Sequence, residues 1–367
     1  MRCAFFTNYL SIHTSPLFDE LCDLGLSVTC VESGETSKER ETIGDSYSEN
    51  NVKRIRLSEY ILLKREFNQF DFCIFSDFEN ISKIRRNTVC SHWFFMSEHF
   101  FKNKRLRNFL SFIKIKFFIA KYFKADNKYA LCNSYYSGKE YKKLGFNNSS
   151  IFKFGYFPEL CDKSSSLEKD HNTILWSGRF LKWKHPEYAL IALRILERKN
   201  ENYRLTFVGD GPLKEKIKYL VEKENLQQKV TFTGFMKHED LMKTMESSDV
   251  YIFSSDKNEG WGVVLNEALF SKCITFASKK AGSTPYLNNG QNMIVFKTKK
   301  QFVNAIKLYG NNETEYKKIP GEARKTIDLE WNYKNAARRI KEFVESMLLN
   351  KNVKLPLNGP LSLHYKK

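Results

Sequence analysis

Two carboxylates flank a short glycine-containing turn in the segment NEGWGVVLNEALFSK, residues 258–272. Glu259 precedes the apolar run and Glu267 follows it, with seven residues between them. A helix starting just after Glu259 would place Glu267 about two turns inside it, roughly 12 Å from its start. Carboxylates that far apart cannot share a proton or readily bind one metal ion. They can accept hydrogen bonds from both ends of a long polyhydroxylated ligand. Taken alone, Glu259 could equally be an acidic residue that favours a helix start, and Glu267 a solvent-exposed charge on a helix.

The turn between the two carboxylates suits a phosphate group. The amides of Trp261, Gly262 and Val263 are predicted to lie in the first helical turn, where N–H groups lack helical partners and the helix dipole is positive. Gly262 has no side chain, so a ligand can approach its backbone closely.

Two cations follow an earlier predicted strand, in the segment SGRFLKWKHP, residues 177–186. Arg179 and Lys184 lie in the strand-to-helix loop, ahead of Pro186 near the first turn of the helix. There an arginine can bind a diphosphate through a forked contact and a lysine as a point charge. In so basic a chain, both also fit a solvated surface.

Two further loops end strands in the same half of the chain. VGDGP, residues 208–212, has Gly209 and Gly211, which permit close backbone approach. TGFMKHEDL, residues 233–241, ends a strand in a turn where Phe235 could cover a flat base. Each loop is a weak motif alone.

Strand and helix patterns alternate in two blocks, which predicts two Rossmann-like, doubly wound parallel-sheet α/β domains facing across a cleft. The polar, serine-rich stretch between the blocks indicates a linker. The expected divisions are an amino-terminal domain, a linker, a carboxyl-terminal domain, and an amphipathic helix with a basic tail, at residues 1–157, 158–171, 172–335 and 336–367.

Composition limits the partners and the compartment. Sixty Lys and Arg residues against 42 Asp and Glu give a net charge of +18, which attracts anions such as nucleotides, nucleic acids or membrane surfaces. The eight cysteines show no disulfide-like or zinc-like spacing, and the amino terminus does not resemble a signal peptide. No apolar run approaches the ~20 residues that span a bilayer. We therefore expect a cytoplasmic protein.

The order of the loops resembles the carboxyl-terminal half of the family 4 retaining glycosyltransferases, which have the GT-B fold. This resemblance implies that the carboxyl-terminal helix crosses back to the first domain. The resemblance covers about residues 170–335, and the motifs that carry it are GRFLKWK, VGDGP, TGF, NEGWGVVLNEA and AGSTPYLNNGQN. It implies that Glu267 holds the ribose hydroxyls of a sugar nucleotide and that Glu259 contacts the donor sugar. It also implies that Arg179 and Lys184 bind the diphosphate. The backbone at Gly262 and Val263 would then support the β-phosphate. The resemblance implies no metal dependence and no cofactor beyond the donor, with a UDP-sugar favoured over a GDP-sugar.

The amino-terminal half matches the family less well. The loop FTNYLSIHTSP has no glycine between Thr7 and Pro16, where family members often have a glycine-rich loop. The resemblance implies a histidine in contact with the transferred sugar, and in SHWFFMSEHFF we select His99, next to Glu98, over His92. A histidine among aromatic residues also fits a packed structural role.

Residues 102–128 carry nine cations, with Asp126 as the only acid, interleaved with aromatic residues. Such a helix could lie on an anionic membrane, or it could pack its apolar side on the sheet while its lysines extend into water. The first possibility favours a peripheral enzyme on the inner face of the cytoplasmic membrane.

These observations favour transfer of a hexose to a glycan or lipid-linked oligosaccharide in bacterial cell-surface polysaccharide synthesis. Because fold does not fix reaction, a sugar-nucleotide epimerase or a phosphorylase is an alternative. A further alternative is a non-catalytic basic protein that binds membranes or nucleic acid. Against nucleic acid, the sequence has no known nucleic-acid-binding motif, and the acids at positions 259 and 267 would repel a phosphate backbone.

Overall fold

The computed structural model describes residues 1–35, 51–101, 106–123, 127–161, 169–200 and 202–365. The predicted linker and basic segment lie partly outside these ranges, as do the last two residues of the tail. The chain divides into two compact units. Unit 1 comprises Met1–Glu159 and Glu330–Lys367, and unit 2 comprises Leu160–Leu329. The divisions expected from the sequence lie after residues 157, 171 and 335.

Unit 1 contains a parallel sheet of seven described strands. They are β1 (Arg2–Thr7), β2 (Ser27–Glu32), β3 (Lys53–Arg56), β4 (Gln69–Phe75), β5 (Val89–Ser97), β6 (Lys128–Cys132) and β7 (Ile151–Lys153). Their spatial order is β3-β2-β1-β4-β5-β6-β7. The sequence pattern does not reveal β3 or β7, because a charged edge strand and a three-residue strand carry almost no apolar periodicity.

Unit 2 contains a second parallel sheet, with six described strands. They are β8 (Asp170–Ser177), β9 (Arg204–Val208), β10 (Val230–Gly234), β11 (Ser248–Phe253), β12 (Ile274–Ser278) and β13 (Ile294–Phe296). Their spatial order is β10-β9-β8-β11-β12-β13, the strand order of a Rossmann fold. Both sheets confirm the predicted doubly wound α/β class.

Helices connect these strands. They are α1 (Ser15–Asp23), α2 (Leu57–Tyr60), α3 (Ile81–Asn87), α4 (Leu106–Tyr122), α5 (Ser137–Lys143), α6 (Glu187–Leu196), α7 (Lys214–Lys223), α8 (His238–Ser247), α9 (Val264–Phe270), α10 (Thr284–Leu287), α11 (Lys299–Asn311), α12 (Ile319–Lys325) and α13 (Tyr333–Leu348). Among the described residues, no helix combines the length and the apolar character needed to cross a membrane.

The carboxyl-terminal helix α13 returns to unit 1, as the sequence predicts. Its Phe343 ring lies 5.8 Å from Phe94 and 5.3 Å from Phe152, measured between ring centroids. Lys341 Nζ donates a 2.9 Å hydrogen bond to the carbonyl of Leu24, just after α1. An aromatic cluster and a helix-end contact therefore attach α13 to the sheet and helices of the first half of the chain.

The core of unit 2 sets the position of its loops. Apolar residues of β8, β9, β11 and β12 pack with α6, α7 and α11 into one buried cluster, whose aromatic members include Trp176, Phe180, Phe207 and Phe276. Burial of both faces explains why these strands appear in the sequence as nearly continuous apolar runs. Most of their polar residues therefore lie at the strand ends.

Candidate active site

The loops after β8 and β11 begin side by side, because these two strands pair in the centre of the unit 2 sheet. From this pair the chain proceeds outward in opposite directions, through β9 on one side and β12 on the other. Such a switch point in an open parallel sheet leaves a ligand-sized gap at the carboxyl ends of the strands. The first loop carries Arg179 and Lys184, and the second carries Glu259.

Lys184 and Glu259 form an ion pair that joins these two loops. Lys184 Nζ lies 2.5 Å from Glu259 Oε2, and only 15% and 9% of the two side chains are exposed. Ser255 Oγ donates a 2.8 Å hydrogen bond to the same carboxylate oxygen. The family resemblance implies that the two residues bind different parts of a ligand, whereas the structure brings them into contact. A buried carboxylate needs such compensation.

Arg179 has a different environment. Its side chain is exposed, and within the described parts of the chain it takes part in none of the ion pairs. Its backbone carbonyl accepts a 2.7 Å hydrogen bond from the amide of Leu181, which tightens the loop. The guanidinium can therefore contribute a full positive charge to an anion at the end of β8.

Glu267 is almost fully buried, with 2% of its side chain exposed. Its Oε1 lies 2.9 Å from Nε2 of His238, at the start of α8. Its Oε2 is also buried, and no described residue donates a hydrogen bond to it. A carboxylate oxygen buried without a donor is costly, so a ligand hydroxyl that reaches it gains a strong hydrogen bond.

The start of α9 differs from the sequence-based expectation. Glu267 is the fourth residue of a seven-residue helix and not two turns inside it, and Trp261 and Gly262 precede the helix. Gly262 has a φ of +79°, and a Cβ there would lie 2.6 Å from Cζ of Phe253. This left-handed residue, packed against a ring, interrupts the helical conformation. The helix therefore cannot extend back to Glu259.

Tyr251, on β11, lies in the field of both glutamates. Its hydroxyl is 2.8 Å from Ser177 Oγ. Burial raises the pKa of Tyr251, and the carboxylates of Glu267 and Glu259 raise it further, against the lowering effect of the Ser177 hydrogen bond. Burial and the two carboxylates thus keep the Tyr251 hydroxyl neutral.

The glycines of the VGDGP loop bring neighbouring loops close together. Gly209 has a φ of +118°, and a Cβ there would lie 2.1 Å from the carbonyl oxygen of Gly178. Gly211 has a φ of +146°, and its Cβ would lie 2.8 Å from the amide nitrogen of Phe180. The close approach that the sequence indicates is therefore an approach between the loops after β8 and β9. Their contact with a ligand stays a prediction.

The aromatic candidates differ in exposure. Trp261 is fully buried, and its Nε1 donates a 2.9 Å hydrogen bond to Asn266 Oδ1. Only its backbone is left for a ligand. Val263 is the N-cap of α9. Phe235 is 61% exposed just after β10, where its ring can stack on a flat base.

His99 of unit 1 is not a solitary histidine. Its Nδ1 lies 3.2 Å from Oε1 of Glu140, on α5, and both side chains are 9% exposed. Glu140 also accepts a 2.7 Å hydrogen bond from the amide of Phe100. His99 Nε2 is buried, and no described residue hydrogen-bonds to it. Glu140 therefore orients the ring through Nδ1 and leaves Nε2 unbonded within the part of the chain that the structure describes.

The site of unit 2 lies in a recognisable sequence domain. The family model described as Glycosyl transferases group 1 matches residues 159–326. These residues belong to the group 1 glycosyltransferase family. Each unit 2 candidate named above falls inside the matched range.

Curated relatives match the chain over shorter stretches. The alpha-D-kanosaminyltransferase of Streptomyces kanamyceticus is 27% identical over 126 residues, which is 34% of this chain and 32% of the relative. A Campylobacter jejuni alpha-1,4-N-acetyl-D-galactosaminyltransferase is 30% identical over 140 residues, covering 38% of this chain and 36% of the relative. The matches thus span about a third of the length of each of these relatives.

Solved structures share the fold along nearly the whole chain. Anabaena HepE in complex with UDP has a TM-score of 0.68 at 13% identity, covering 94% of this chain and all (100%) of that one. Staphylococcus aureus TarM has a TM-score of 0.67 at 12% identity, with coverages of 95% and 98%. The group 1 glycosyltransferase domain and unit 1 together have the GT-B fold.

Sequence reasoning missed three polar residues of these sites, which are Ser255, His238 and Glu140. His238 lies at the first position of a helix after a strand, the placement that identified the other candidates, and that signal could have found it. Ser255 lies two residues after the end of β11 and has the same kind of signal, whereas Glu140 lies inside α5 and has none. Among the described residues, no cluster of three His, Cys, Asp or Glu side chains could hold a metal ion.

Proposed function

We propose that this group 1 glycosyltransferase is a retaining, metal-independent enzyme that transfers a hexose from a nucleotide diphosphate sugar to a glycan or lipid-linked oligosaccharide. The observation that carries the proposal is the buried carboxylate of Glu267, whose Oε1 contacts His238 and whose Oε2 has no donor among the described residues. This arrangement suits a pair of neighbouring hydroxyls such as those of a ribose. Because His238 fixes the orientation of the carboxylate, little conformational entropy is lost when the ligand binds.

The charge at the other loops suits the diphosphate. Departure of a nucleoside diphosphate leaves negative charge on the leaving oxygen, and fixed positive groups there lower the barrier. Arg179 supplies an exposed guanidinium. Lys184 supplies an ammonium that Glu259 already holds in place. In the proposed complex Glu259 also accepts a hydrogen bond from the donor sugar, and the backbone at Gly262 and Val263 supports the β-phosphate.

A UDP-sugar is the proposed donor, and Phe235, with its exposed ring, is the proposed platform for the base. The HepE structures contain UDP and, in one case, UDP-glucose. The Campylobacter jejuni relative is described as acting on an undecaprenol-linked glycan. These descriptions support a proposed role in bacterial cell-surface polysaccharide synthesis, on the cytoplasmic side of the membrane.

Nucleotide binding provides the sharpest test. Titration calorimetry would compare UDP and GDP on the wild type, on Glu267→Gln and on Glu222→Gln, an exposed glutamate of unit 2. Glu267→Gln keeps the size of the side chain and a hydrogen bond to His238, but it removes the charge that strengthens the ribose contacts. We expect it to lose about 10- to 100-fold in affinity for UDP, with Glu222→Gln unchanged. Equal affinities in all three proteins would overturn the ribose assignment.

Release of UDP distinguishes a transferase from the alternatives. A transferase with a slow hydrolytic side reaction releases UDP from UDP-sugar mainly when an acceptor glycan is present. An epimerase converts the sugar nucleotide without releasing UDP, and a phosphorylase needs inorganic phosphate. Measuring UDP release with and without each co-substrate separates these reactions.

A further inference from the structure

The outward side of α4 in unit 1 exposes a row of large apolar side chains. We call this row the outer stripe; its members are 48% to 63% exposed and comprise Phe109, Leu110, Ile113 and Phe117. The opposite side of the helix is already packed, since Phe112, Ile115 and Ile119 are buried. The helix therefore satisfies the fold with one face and leaves a second apolar face in contact with water. Packing against the rest of unit 1 therefore accounts for one side of the helix, and a role for the other side stays a prediction.

The outer stripe has lysines along both edges. With 3.6 residues per turn, its four side chains cover an arc of roughly 100°. Lys116 lies roughly 20° beyond one edge, and Lys121 and Lys114 lie roughly 20° and 40° beyond the other. All three lysines are exposed. Apolar side chains flanked by long cationic ones are typical of helices that lie in a membrane interface, where the ammonium groups extend to the headgroups.

The charge of α4 itself is of one sign, and the acids Asp77 and Glu79 lie beside the helix, around the pocket that Lys114 and Ile115 also line. Residues 106–122 contain no Asp or Glu. The adjoining helix α3 packs against α4 and adds exposed Lys83 and Arg86. A protein partner that carries charges of both signs would not require a helix surface whose charges are all positive. An anionic lipid surface offers both hydrocarbon for the rings and phosphates for the cations.

We propose that the outer stripe and its flanking lysines form a docking surface for an anionic lipid bilayer. The helix lies parallel to the membrane plane, with the rings of Phe109 and Phe117 below the level of the phosphates. This surface belongs to unit 1 alone, and its function needs neither a donor nor turnover. Failure of the docking test therefore leaves the proposed transferase activity intact, and failure of the nucleotide test leaves the docking surface intact.

Vesicle flotation tests the proposal on the full-length chain. The vesicles are phosphatidylcholine alone, or phosphatidylcholine mixed with phosphatidylglycerol. The wild type is expected to float with the mixed vesicles and to bind neutral ones much more weakly. Phe109→Ser with Phe117→Ser should lower the partition coefficient at least about tenfold. Lys114→Gln with Lys116→Gln and Lys121→Gln should lower it about fivefold per lysine on anionic vesicles only.

Helix α11 of unit 2 offers matched controls. Leu308 is 61% exposed, and Leu308→Ser removes an equally accessible apolar side chain. Replacing its exposed Lys299, Lys300 and Lys307 by glutamine makes the same change in net charge. Both controls should float like the wild type, and all variants should keep the wild-type circular dichroism spectrum.

Two results would overturn the proposal. One is flotation that depends equally on the α4 and α11 substitutions, which would indicate unspecific attraction by net charge. The other is a dimer in sedimentation equilibrium that dissociates on Phe109→Ser with Phe117→Ser, without vesicle binding by the wild type. That result would assign the outer stripe to a second copy of the chain.

Discussion

Lys184 Nζ lies 2.5 Å from Glu259 Oε2, and this contact joins the two loops at the centre of the unit 2 sheet. Because both side chains are largely buried, each charge depends on the other for compensation. Lys184→Met is expected to cost about 3 kcal/mol of unfolding free energy, since it leaves the carboxylate buried and unpaired. The double variant Lys184→Met with Glu259→Leu should regain much of that loss.

Urea denaturation of the two single variants and the double variant gives the coupling energy. The exposed pair Lys218 and Glu215, with 40% and 80% of the side chains exposed, is the control and should show a coupling below about 0.5 kcal/mol. Additive effects of the Lys184 and Glu259 substitutions would show that the ion pair does not exist in solution.

Gly209 and Gly290 separate close loop packing from backbone strain. Both have positive φ angles, +118° and +92°, but only at Gly209 would a Cβ meet backbone, at 2.1 Å from Gly178. Gly209→Ala should therefore destabilise unit 2 by about 3 kcal/mol, through strain and overlap together. Gly290→Ala should cost only about 1 kcal/mol, through strain alone. Chemical denaturation of the two variants measures both losses of stability. Equal losses would contradict the close packing of the loop after β9 against the loop after β8.

The contact between His99 and Glu140 predicts a specific tautomer. The Glu140 carboxylate lies 3.2 Å from Nδ1 and can only accept a hydrogen bond there, so neutral His99 should carry its proton on Nδ1. In Glu140→Gln the side-chain amide can donate to Nδ1 instead, which shifts the population toward the Nε2–H form.

Long-range ¹H–¹⁵N spectra distinguish the two tautomers, with His99→Asn to assign the signal. Glu98→Gln is the control and should leave the tautomer unchanged. An Nε2–H ring in the wild type would refute the positioning role of Glu140. This measurement does not depend on catalytic activity.

His364 makes the stability of unit 1 depend on pH. Burial, followed by the nearby cations of Lys153 and Lys139, lowers the pKa of His364 from 6.5 to about 4. The folded chain thus keeps the ring neutral while the unfolded chain takes up a proton near pH 6.5. Its contribution to stability is complete above pH 6.5 and is lost as the pH falls toward 4.

Urea denaturation between pH 7 and pH 4 measures this loss. Relative to His364→Phe, which keeps a ring but cannot titrate, the wild type should lose about 2 kcal/mol more, a value reduced for partial exposure of the ring. Parallel curves for the wild type and His364→Phe would contradict the burial of His364.

The sheets could largely be predicted from the sequence. Strands such as β11 and β12 are buried on both faces, so each appears as a short apolar run with polar residues where it ends. The edge strands β3 and β7 could not be predicted, because their identity depends on pairing with a neighbour and not on their own residues. The start of α9 was also misplaced, because the steric effect of the Phe253 ring on Gly262 comes from the preceding strand.

The sequence by itself determined which residues lie at the carboxyl ends of the strands, because apolar periodicity and glycine spacing are local properties of the chain. Only the tertiary structure decided their partners. Lys184 meets Glu259, His238 meets Glu267 and Glu140 meets His99 across separations of many residues. The reason is electrostatic: a carboxylate removed from water needs a donor or a cation from whichever element packs beside it, and that element is chosen by the fold.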